Sequence, residues 1–471
     1  MPRRLGPVAG GAGLGLCMAL CLIGGIPAAA QGDGAAEEKT AADKTAAEAL
    51  AEQRARRADT LRYGIESQVI ELLQTLRAER ERYFDDMVLR LAREEGGHRM
   101  RAAALEYFGH FDSDRAEGVA VALLRERERH PNALVLAGFS YLARIKSRAA
   151  LSVVDEVLAD DERPYLQAAI RLAAAAGASD RAEAVVRVFE SEETGSALRI
   201  EALNALGELK APAAFELLSR VLDDEAGSKA ERMNAARGLA ALGDDRAVES
   251  LAAASRGEDP NVRASAVEAL GSFKGSAAAA AVAAALRDNH QGVRAAAVKA
   301  AGGMRLDDAV PALEFRLTQD PDRSVREAAV AALAAFDSPS TWSTLVAFAE
   351  DAKQPQQYRL RAFAAVIGEG PASSRASMRT LFAALDNEKD RASYLAFARA
   401  ALAVDKEGAA DFAQRLYADK EFTSRLAAIA WAERNAYAAH APELKRLAES
   451  DPTESVRKRA GAALERITQD R

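Results

Sequence analysis

A short phrase recurs along this 471-residue chain and constrains its fold more than any other feature. The clearest copy, from Asp259 to Gly271, reads DPNVRASAVEALG. Its Val-Arg step returns at 293–294, 325–326 and 456–457, and Asp-Pro precedes that step again at 320–321 and 451–452. Weaker copies keep the arginine or replace it: Arg101, Val135, Gln167, Arg199, Arg232, Arg361, Leu395 and Arg425. The twelve copies follow one another at intervals of roughly 32 residues, a period typical of helical repeat arrays.

The phrase has the physical features of a helix with one buried side. The Asp259 side chain can cap the helix start, and Pro260 fits the first helical position, where an N–H would have no partner. The apolar residues then fall on one stripe of the helix: Val262, Ala266, Ala269 and Leu270. Gly271 is predicted to end the helix in a left-handed conformation. A second apolar helix precedes each phrase, and one such hairpin cannot bury its own stripe, so stacked hairpins are predicted.

The composition agrees with a helical chain. Hydrophobic residues make up 49% of the sequence but aromatic residues only 6%, so the apolar content is mostly Ala, Leu and Val. Ala and Leu have high helix propensity, whereas β-rich folds usually contain more β-branched and aromatic side chains. The composition therefore favours an all-α fold.

The pattern D-P-x-V-R-x-x-A-x-x-A-L-G resembles HEAT repeats, in the short form described as phycobilisome-lyase-type HEAT-like repeats. The resemblance covers approximately residues 84–471 and is most specific from 195 to 335. It implies an all-α fold, a right-handed α-solenoid of about twelve short HEAT-like helical hairpins. It also implies that the second helix of each hairpin lines the concave side.

In HEAT-like repeats, the arginine of each second helix bonds to an acidic residue of a neighbouring unit, and these pairs form an internal ladder. Carried over to this chain, the resemblance implies ladder arginines at Arg263, Arg294, Arg326 and Arg457. It implies cap or ladder acids at Asp259, Asp320 and Asp451, and gaps in the ladder at Val135, Gln167 and Leu395. These residues are interpreted as structural, not functional.

The chain divides into four predicted segments. Residues 1–30 are a predicted signal peptide, with Arg3 and Arg4 before an apolar stretch and cleavage expected after Ala30. Residues 31–58 are predicted to be a flexible or loosely helical tether rich in Ala, Glu and Lys. Residues 59–95 are predicted capping helices, and residues 96–471 the repeat solenoid. We therefore expect an exported protein of the periplasm or cell envelope, with an uncleaved signal that acts as an anchor as the alternative.

The sequence offers few groups for catalysis or metal binding. Both cysteines, Cys17 and Cys21, lie in the signal segment, so the mature chain has no disulfide and no thiolate ligand. The five histidines include no two at helical i, i+3 or i+4 spacing, and no nucleophile elbow or phosphate-binding loop is found. A net charge of −7 disfavours nucleic acid as a partner. We expect no catalytic residue, no cofactor, no metal and no stable membrane insertion after cleavage.

The remaining candidates lie on the second helices. Counted from the arginine, the third residue is small or apolar and is predicted core, whereas the second and fifth vary and are predicted to face the inner surface. The polar residues at these two places are Glu201, Asn204, Asn234, Arg237, Ser265, Glu268 and Lys299. Phe363 and Phe397 take the second place in two C-terminal copies, and Trp431 the sixth place in the next. These aromatic residues either fill the core or form an apolar strip for a partner.

These observations predict a non-catalytic scaffold or adaptor of the bacterial cell envelope. Its partner would be another protein or an extended peptide, bound on the concave face by the polar candidates together with Phe363 and Phe397. The alternatives are an enzyme accessory or lyase-like HEAT protein, and a solenoid tethered to the membrane by an uncleaved signal.

Overall fold

The computed structural model describes residues 34–95, 97–385, 390–404 and 407–469 of the chain. The predicted signal peptide, residues 1–30, lies outside the described residues. Within these ranges the chain forms α-helices, short 3-10 turns and one π-helical turn, Leu91–Glu95, with no β-strand. Contacts divide the chain into two units, one ending at Leu91 and the other beginning at Ala92, close to the predicted start of the repeats.

The first unit contains α1 (Gly34–Tyr63), α2 (Glu66–Ala78) and α3 (Asp85–Arg90). Residue 58, the predicted end of the tether, is not a boundary in the structure, because α1 continues through it. The end of α1 is held by ion pairs: Arg54 Nε lies 3.2 Å from Glu81 Oε1, and Arg57 Nη2 donates to Glu79 Oε1 at 2.9 Å. These pairs tie the last part of the predicted tether to the turn after α2.

The second unit alternates first and second helices of short hairpins. The even-numbered second helices are α4 (His98–His110), α6 (Asn132–Arg144), α8 (Leu166–Ala175), α10 (Ser196–Leu209), α12 (Lys229–Leu242), α14 (Pro260–Leu270), α16 (Gln291–Met304), α18 (Arg323–Ala335), α20 (Gln356–Glu369), α22 (Arg391–Leu402), α24 (Phe422–Arg434) and α26 (Glu454–Gln469). The odd-numbered first helices are α5 (Glu117–Arg125), α7 (Leu151–Ala159), α9 (Ala182–Glu190), α11 (Ala213–Asp223), α13 (Ala247–Ala254), α15 (Ser276–Ala285), α17 (Val310–Gln319), α19 (Pro339–Glu350), α21 (Ala372–Ala384), α23 (Ala410–Leu416) and α25 (Ala441–Ser450).

Each first helix packs on the second helix that follows it, and each second helix packs on the next one along the chain. The core therefore lies between the two layers and between successive hairpins. This arrangement confirms the predicted all-α repeat solenoid, in which contacts stay between neighbouring units.

The start of α14 forms as the sequence predicts. Asp259 Oδ1 accepts hydrogen bonds from the backbone N–H groups of Asn261 at 2.9 Å and Val262 at 3.2 Å. In α18, however, the capping residue is Asp322 and not Asp320, which is two residues earlier. The change leaves the Asp320 carboxylate available for contacts with a neighbouring unit.

Gly271 does not adopt the left-handed conformation that the sequence predicts, because its φ is −59°. Its role is close packing, since a Cβ built there would lie 3.0 Å from Ala300 Cβ of α16. Other second helices meet in the same way: a Cβ on Gly207 of α10 would lie 2.7 Å from Gly238 Cα of α12. Small residues therefore let adjacent second helices approach backbone to backbone.

We expect Gly207→Ala to lower the free energy of unfolding by about 1–3 kcal/mol, because the added methyl meets the backbone of α12, which cannot move aside freely. Gly461→Ala in α26 is the matched control, because among the described residues no atom beyond its chain neighbours and the nearby backbone of its own helix lies within 4 Å of the added Cβ. That control should raise stability by up to about 1 kcal/mol through helix propensity. Urea titration followed by circular dichroism measures both changes, and a stabilising Gly207→Ala would contradict the packing.

Candidate functional site

An arginine ladder fixes the second helices relative to one another. Arg263 reaches Asp288 with Nε–Oδ2 2.9 Å and Nη2–Oδ1 3.0 Å, and Arg294 reaches Asp320 with both distances at 2.8 Å. Each acid lies in the turn before the next second helix, so every pair joins two units. The structure confirms these two ladder arginines and Asp320 as a ladder acid.

Asp320 is the most enclosed acid of the central ladder, with a side chain that is 0% exposed. Besides Arg294, it accepts hydrogen bonds from Arg316 Nη1 at 3.0 Å and from the Asp322 backbone N–H at 3.0 Å. Burial raises the pKa of this carboxyl, but the hydrogen bonds from Arg294, Asp322 and Arg316 outweigh burial and hold the pKa below its usual range. Asp320 is therefore a charged, fully bonded core residue.

Two predicted ladder arginines have other partners. Arg326 donates to the amide oxygen of Gln354 at 2.7 Å, and Arg457 donates to the backbone oxygen of Asp451 at 2.6 Å. Asp451 itself accepts from Arg425, whose Nε lies 2.7 Å from Oδ2. The neutral amide satisfies the Arg326 guanidinium without neutralising its charge.

Two of the predicted gaps are bridged by arginines about one turn earlier. Arg391, ahead of Leu395, bonds Asp419 at 2.6 and 2.7 Å. Arg163, ahead of Gln167, lies 2.5 Å from Glu193. The ladder is therefore more continuous than the repeated phrase predicts.

The polar candidates of the second helices differ in exposure, and several already have partners within the protein. Glu201 accepts from Arg171 Nε at 2.8 Å and from Gln167 Nε2 at 3.0 Å. Asn234 donates to the backbone oxygen of Ala230 at 2.7 Å, and Ser265 is buried. Asn204 is half-buried. Glu201 and Ser265 therefore contribute to packing between helices more than to a free surface.

Three candidates remain exposed: Arg237 on α12, Glu268 on α14 and Lys299 on α16. Each is the fifth residue after the arginine of the repeated phrase in its helix, so the three occupy equivalent places in consecutive repeats. Among the residues that the structure describes, none of the three has an ion-pair partner. We call them the charged row. Its signs alternate along the array, positive, negative, positive.

The aromatic candidates are core residues, which corrects their assignment as partner-binding residues. Phe363 and Phe397 are both 0% exposed, and their rings meet edge to face with centroids 4.9 Å apart. Trp431 is also buried, and its indole N–H donates to the Val404 backbone oxygen at 3.2 Å. These side chains fill space between the C-terminal hairpins, so the apolar-strip interpretation is wrong.

The reason for this error is the register of α20 and α22. In α20, Arg359 and not Arg361 takes the ladder place: its Nε donates to Ala349 O at 2.9 Å, as Arg326 Nε does to Leu317 O at 2.8 Å. Arg361 is 62% exposed. Counted from Arg359, Phe363 is the fourth residue and falls on the buried stripe. In α22 the residues that face inward include Phe397 and Tyr394, whereas Leu395 is half-exposed.

The structure brings two histidines together that helical spacing did not pair. The rings of His98 and His130 lie 6.3 Å apart between centroids, because the two residues are separated by one repeat. Desolvation, with help from Arg101, lowers the pKa of His130.

Within the described ranges, no three His, Cys, Asp or Glu side chains gather in a way that could hold a metal ion. Within the same ranges, no helix has both the length and the apolar character of a membrane span.

Comparison with known proteins identifies the repeat type. The model of a family described as spirochaete HEAT repeat protein matches residues 61–463. No curated protein matches this chain at a significant level.

Several solved structures are similar to this chain. One is the complex of CpcE and CpcF of phycocyanin lyase from Nostoc sp. PCC7120, with 24% identity, 50% of this chain and 92% of that chain covered, and a TM-score of 0.32. Another is Kap95p bound to RanGDP, which is 16% identical to this chain. The match covers 88% of this chain and 60% of Kap95p, with a TM-score of 0.47. A third is importin beta, which is 15% identical to this chain. The match covers 89% of this chain and 69% of importin beta, with a TM-score of 0.45. This chain thus spans 60% of the length of Kap95p.

Proposed function

Since this chain belongs to the spirochaete HEAT repeat protein family, we propose that it is a non-catalytic scaffold that binds an extended segment of a partner protein along its second helices. Solenoids of this kind present long surfaces that typically serve protein interaction. The binding surface in this proposal is the concave side, at the charged row of Arg237, Glu268 and Lys299. The observation that supports this proposal most directly is that these three exposed charges alternate in sign at equivalent places and lack ion-pair partners among the described residues.

The spacing of the charged row defines the partner. Packed helices lie about 8–10 Å apart, and a peptide in the extended polyproline II conformation advances about 3.1 Å per residue with about three residues per turn. Successive charges of the row therefore match side chains three residues apart, which lie on one side of such a peptide. The complementary segment carries an acid, a base and an acid at positions i, i+3 and i+6. This charge pattern reads the same in both directions, so either polarity of the peptide fits.

The envelope location is part of the proposal and is supported by the sequence of residues 1–30. A basic start, an apolar stretch and Ala28-Ala29-Ala30 are the features of a secretory signal. N-terminal sequencing of the protein from its native membrane and periplasmic fractions distinguishes a cleaved signal from an anchor. A first residue at Gln31 in the soluble fraction supports export with cleavage, and an intact N-terminus in the membrane supports the tethered alternative.

The lyase-like alternative requires groups that exchange a proton or attack a substrate at hydrogen-bond distance. The charged row instead holds a guanidinium, a carboxylate and an ammonium group on three successive helices, about 8–10 Å apart from one helix to the next. Such spacing suits recognition of an extended partner better than acid–base chemistry.

The experiment that tests the proposal places a photoreactive amino acid at position 268 of the protein in its native envelope. The control position is 216 on the first helix α11, where Glu216 is 83% exposed. We expect one partner to crosslink from 268 and not from 216, through a segment with the charge pattern described above. Equal crosslinking from both positions, or none from 268, would contradict binding at the charged row.

A further inference from the structure

A cavity of about 640 Å³ lies in the C-terminal part of the array, and it plays no part in the charged row. Its walls come from the end of α20, from α21, from the start of α23 and from Tyr437 after α24. An adjoining cavity of about 260 Å³ shares Arg379 and Asp411 with it and adds Phe382, Gln414 and Arg415. Together they form one pocket across three consecutive repeats.

The described lining of this pocket has an excess of positive charge. Three guanidiniums, of Arg375, Arg379 and Arg415, face a single carboxylate, that of Asp411. Arg379 Nε and Asp411 Oδ2 form an ion pair, but the N–H of Arg379 Nε does not point at the oxygen as a hydrogen bond requires. Within the described part of the chain, neither Arg375 nor Arg415 has a carboxylate at ion-pair distance. Among the described side chains of the lining, two positive charges therefore have no carboxylate to balance them.

Neighbouring groups hold these arginines in place. Arg375 Nη1 donates to the Gly370 backbone oxygen at 2.9 Å, which fixes its side chain along the wall. The Arg415 guanidinium lies over the Phe382 ring, 5.7 Å from its centroid. Position 408 must be glycine, because a Cβ there would clash with the Ile367 carbonyl oxygen. The pocket therefore has a fixed cationic lining beside an aromatic wall formed by Phe382 and Tyr437.

We propose that this pocket binds a small organic anion that carries carboxylate or phosphate groups. Its volume lies in the range of ordinary small-molecule sites, about 300–1,000 Å³. Arginine recognises carboxylate and phosphate through paired N–H donors. The ligand would bridge Arg375 and Arg379 of α21 and Arg415 of α23, which joins two consecutive repeats. This site does not depend on the proposed scaffold function, since it shares no residue with the charged row.

The test measures binding of two probe anions, citrate and inorganic pyrophosphate, to the full protein by isothermal titration calorimetry at constant ionic strength. The two arms separate a carboxylate ligand from a phosphate ligand. Arg379→Gln and Arg415→Gln remove hydrogen-bond donors from the pocket. Arg220→Gln is the control, because Arg220 is an exposed residue of α11 that pairs with Glu190, and both residues are remote in sequence from the pocket. Circular dichroism checks folding, and Arg415→Gln alone decides the test if Arg379→Gln does not fold.

We expect saturable binding of at least one probe, weakened about tenfold or more in each pocket variant, as the loss of one charge-assisted hydrogen bond predicts. Binding by Arg220→Gln should equal that of the unaltered protein. No saturable binding of either probe, or equal affinity in the pocket variants, would overturn the proposal. Tighter binding of a pentaglutamate peptide than of either probe would overturn it in favour of an acidic protein segment.

Discussion

Asp320→Ala is expected to lower the free energy of unfolding by about 3–5 kcal/mol, because it leaves buried charge without a partner. The Asp320 carboxylate is 0% exposed and neutralises Arg294, which is 8% exposed, and Arg316, which is 17% exposed. Without it, both guanidiniums lose their anion in a place that water reaches poorly. The backbone N–H of Asp322 also loses its acceptor. Urea titration followed by circular dichroism measures the loss, and hydrogen exchange of α16 and α18 locates it.

The control for this prediction is Glu190→Ala, which removes an acid from a surface ion pair with Arg220. Both side chains of that pair are well exposed, at 47% and 64%. Exposed pairs contribute about 0–1 kcal/mol, so this variant should unfold nearly as the unaltered protein does. Equal effects of the two variants would show that the ladder does not hold adjacent repeats together.

The second large effect is expected for Phe397→Ala, which should cost about 3–5 kcal/mol of stability. The Phe397 ring is fully buried, packs edge to face on Phe363 at 4.9 Å and lies 5.4 Å below the Arg359 guanidinium. Alanine leaves a cavity between α20 and α22, since the helices can close it only in part. The measurement is the same urea titration, with hydrogen exchange followed in these two helices.

Phe422→Ala is the matched control, because Phe422 begins α24 with its side chain 47% exposed. Its loss should change stability by less than about 1 kcal/mol. The pair separates the two interpretations that the sequence leaves open for the C-terminal aromatics. Unchanged stability of Phe397→Ala would contradict the assignment of Phe397 to the core and would support a place for it on the surface.

The repeat architecture is predictable from the sequence because each unit repeats the same local signals. Asp259 before Pro260 gives a helix start, and the stripe from Val262 to Leu270 gives the buried side. The period then specifies stacked hairpins without knowledge of any long-range contact. Arg263 and Arg294 of the ladder follow from the resemblance to HEAT-like repeats.

The sequence predicts the candidate site less completely, because the partners of its side chains lie in neighbouring repeats and a local pattern does not show them. The repeated phrase places the arginine of this copy at Arg361, and only the contact with Ala349 shows that Arg359 takes the ladder place. Glu201 has the right place for a free surface residue, yet Arg171 of the preceding second helix engages it. The arginine pocket gathers residues from three repeats, so no local motif announces it.

The most direct test of the central claim uses a designed extended peptide with acid, base and acid at positions i, i+3 and i+6, and a second peptide with the signs reversed. Their affinities for the protein and for a triple variant, Arg237→Glu, Glu268→Arg and Lys299→Glu, are measured by fluorescence anisotropy at low ionic strength, where exposed charges are least screened. A control variant, Glu216→Arg with Arg220→Glu, reverses charges on α11 instead. We predict that the protein and the control prefer the first peptide by about tenfold and that the triple variant prefers the second, since three exposed pairs together contribute about 1–2 kcal/mol. Unchanged preference in the triple variant would contradict recognition by the charged row.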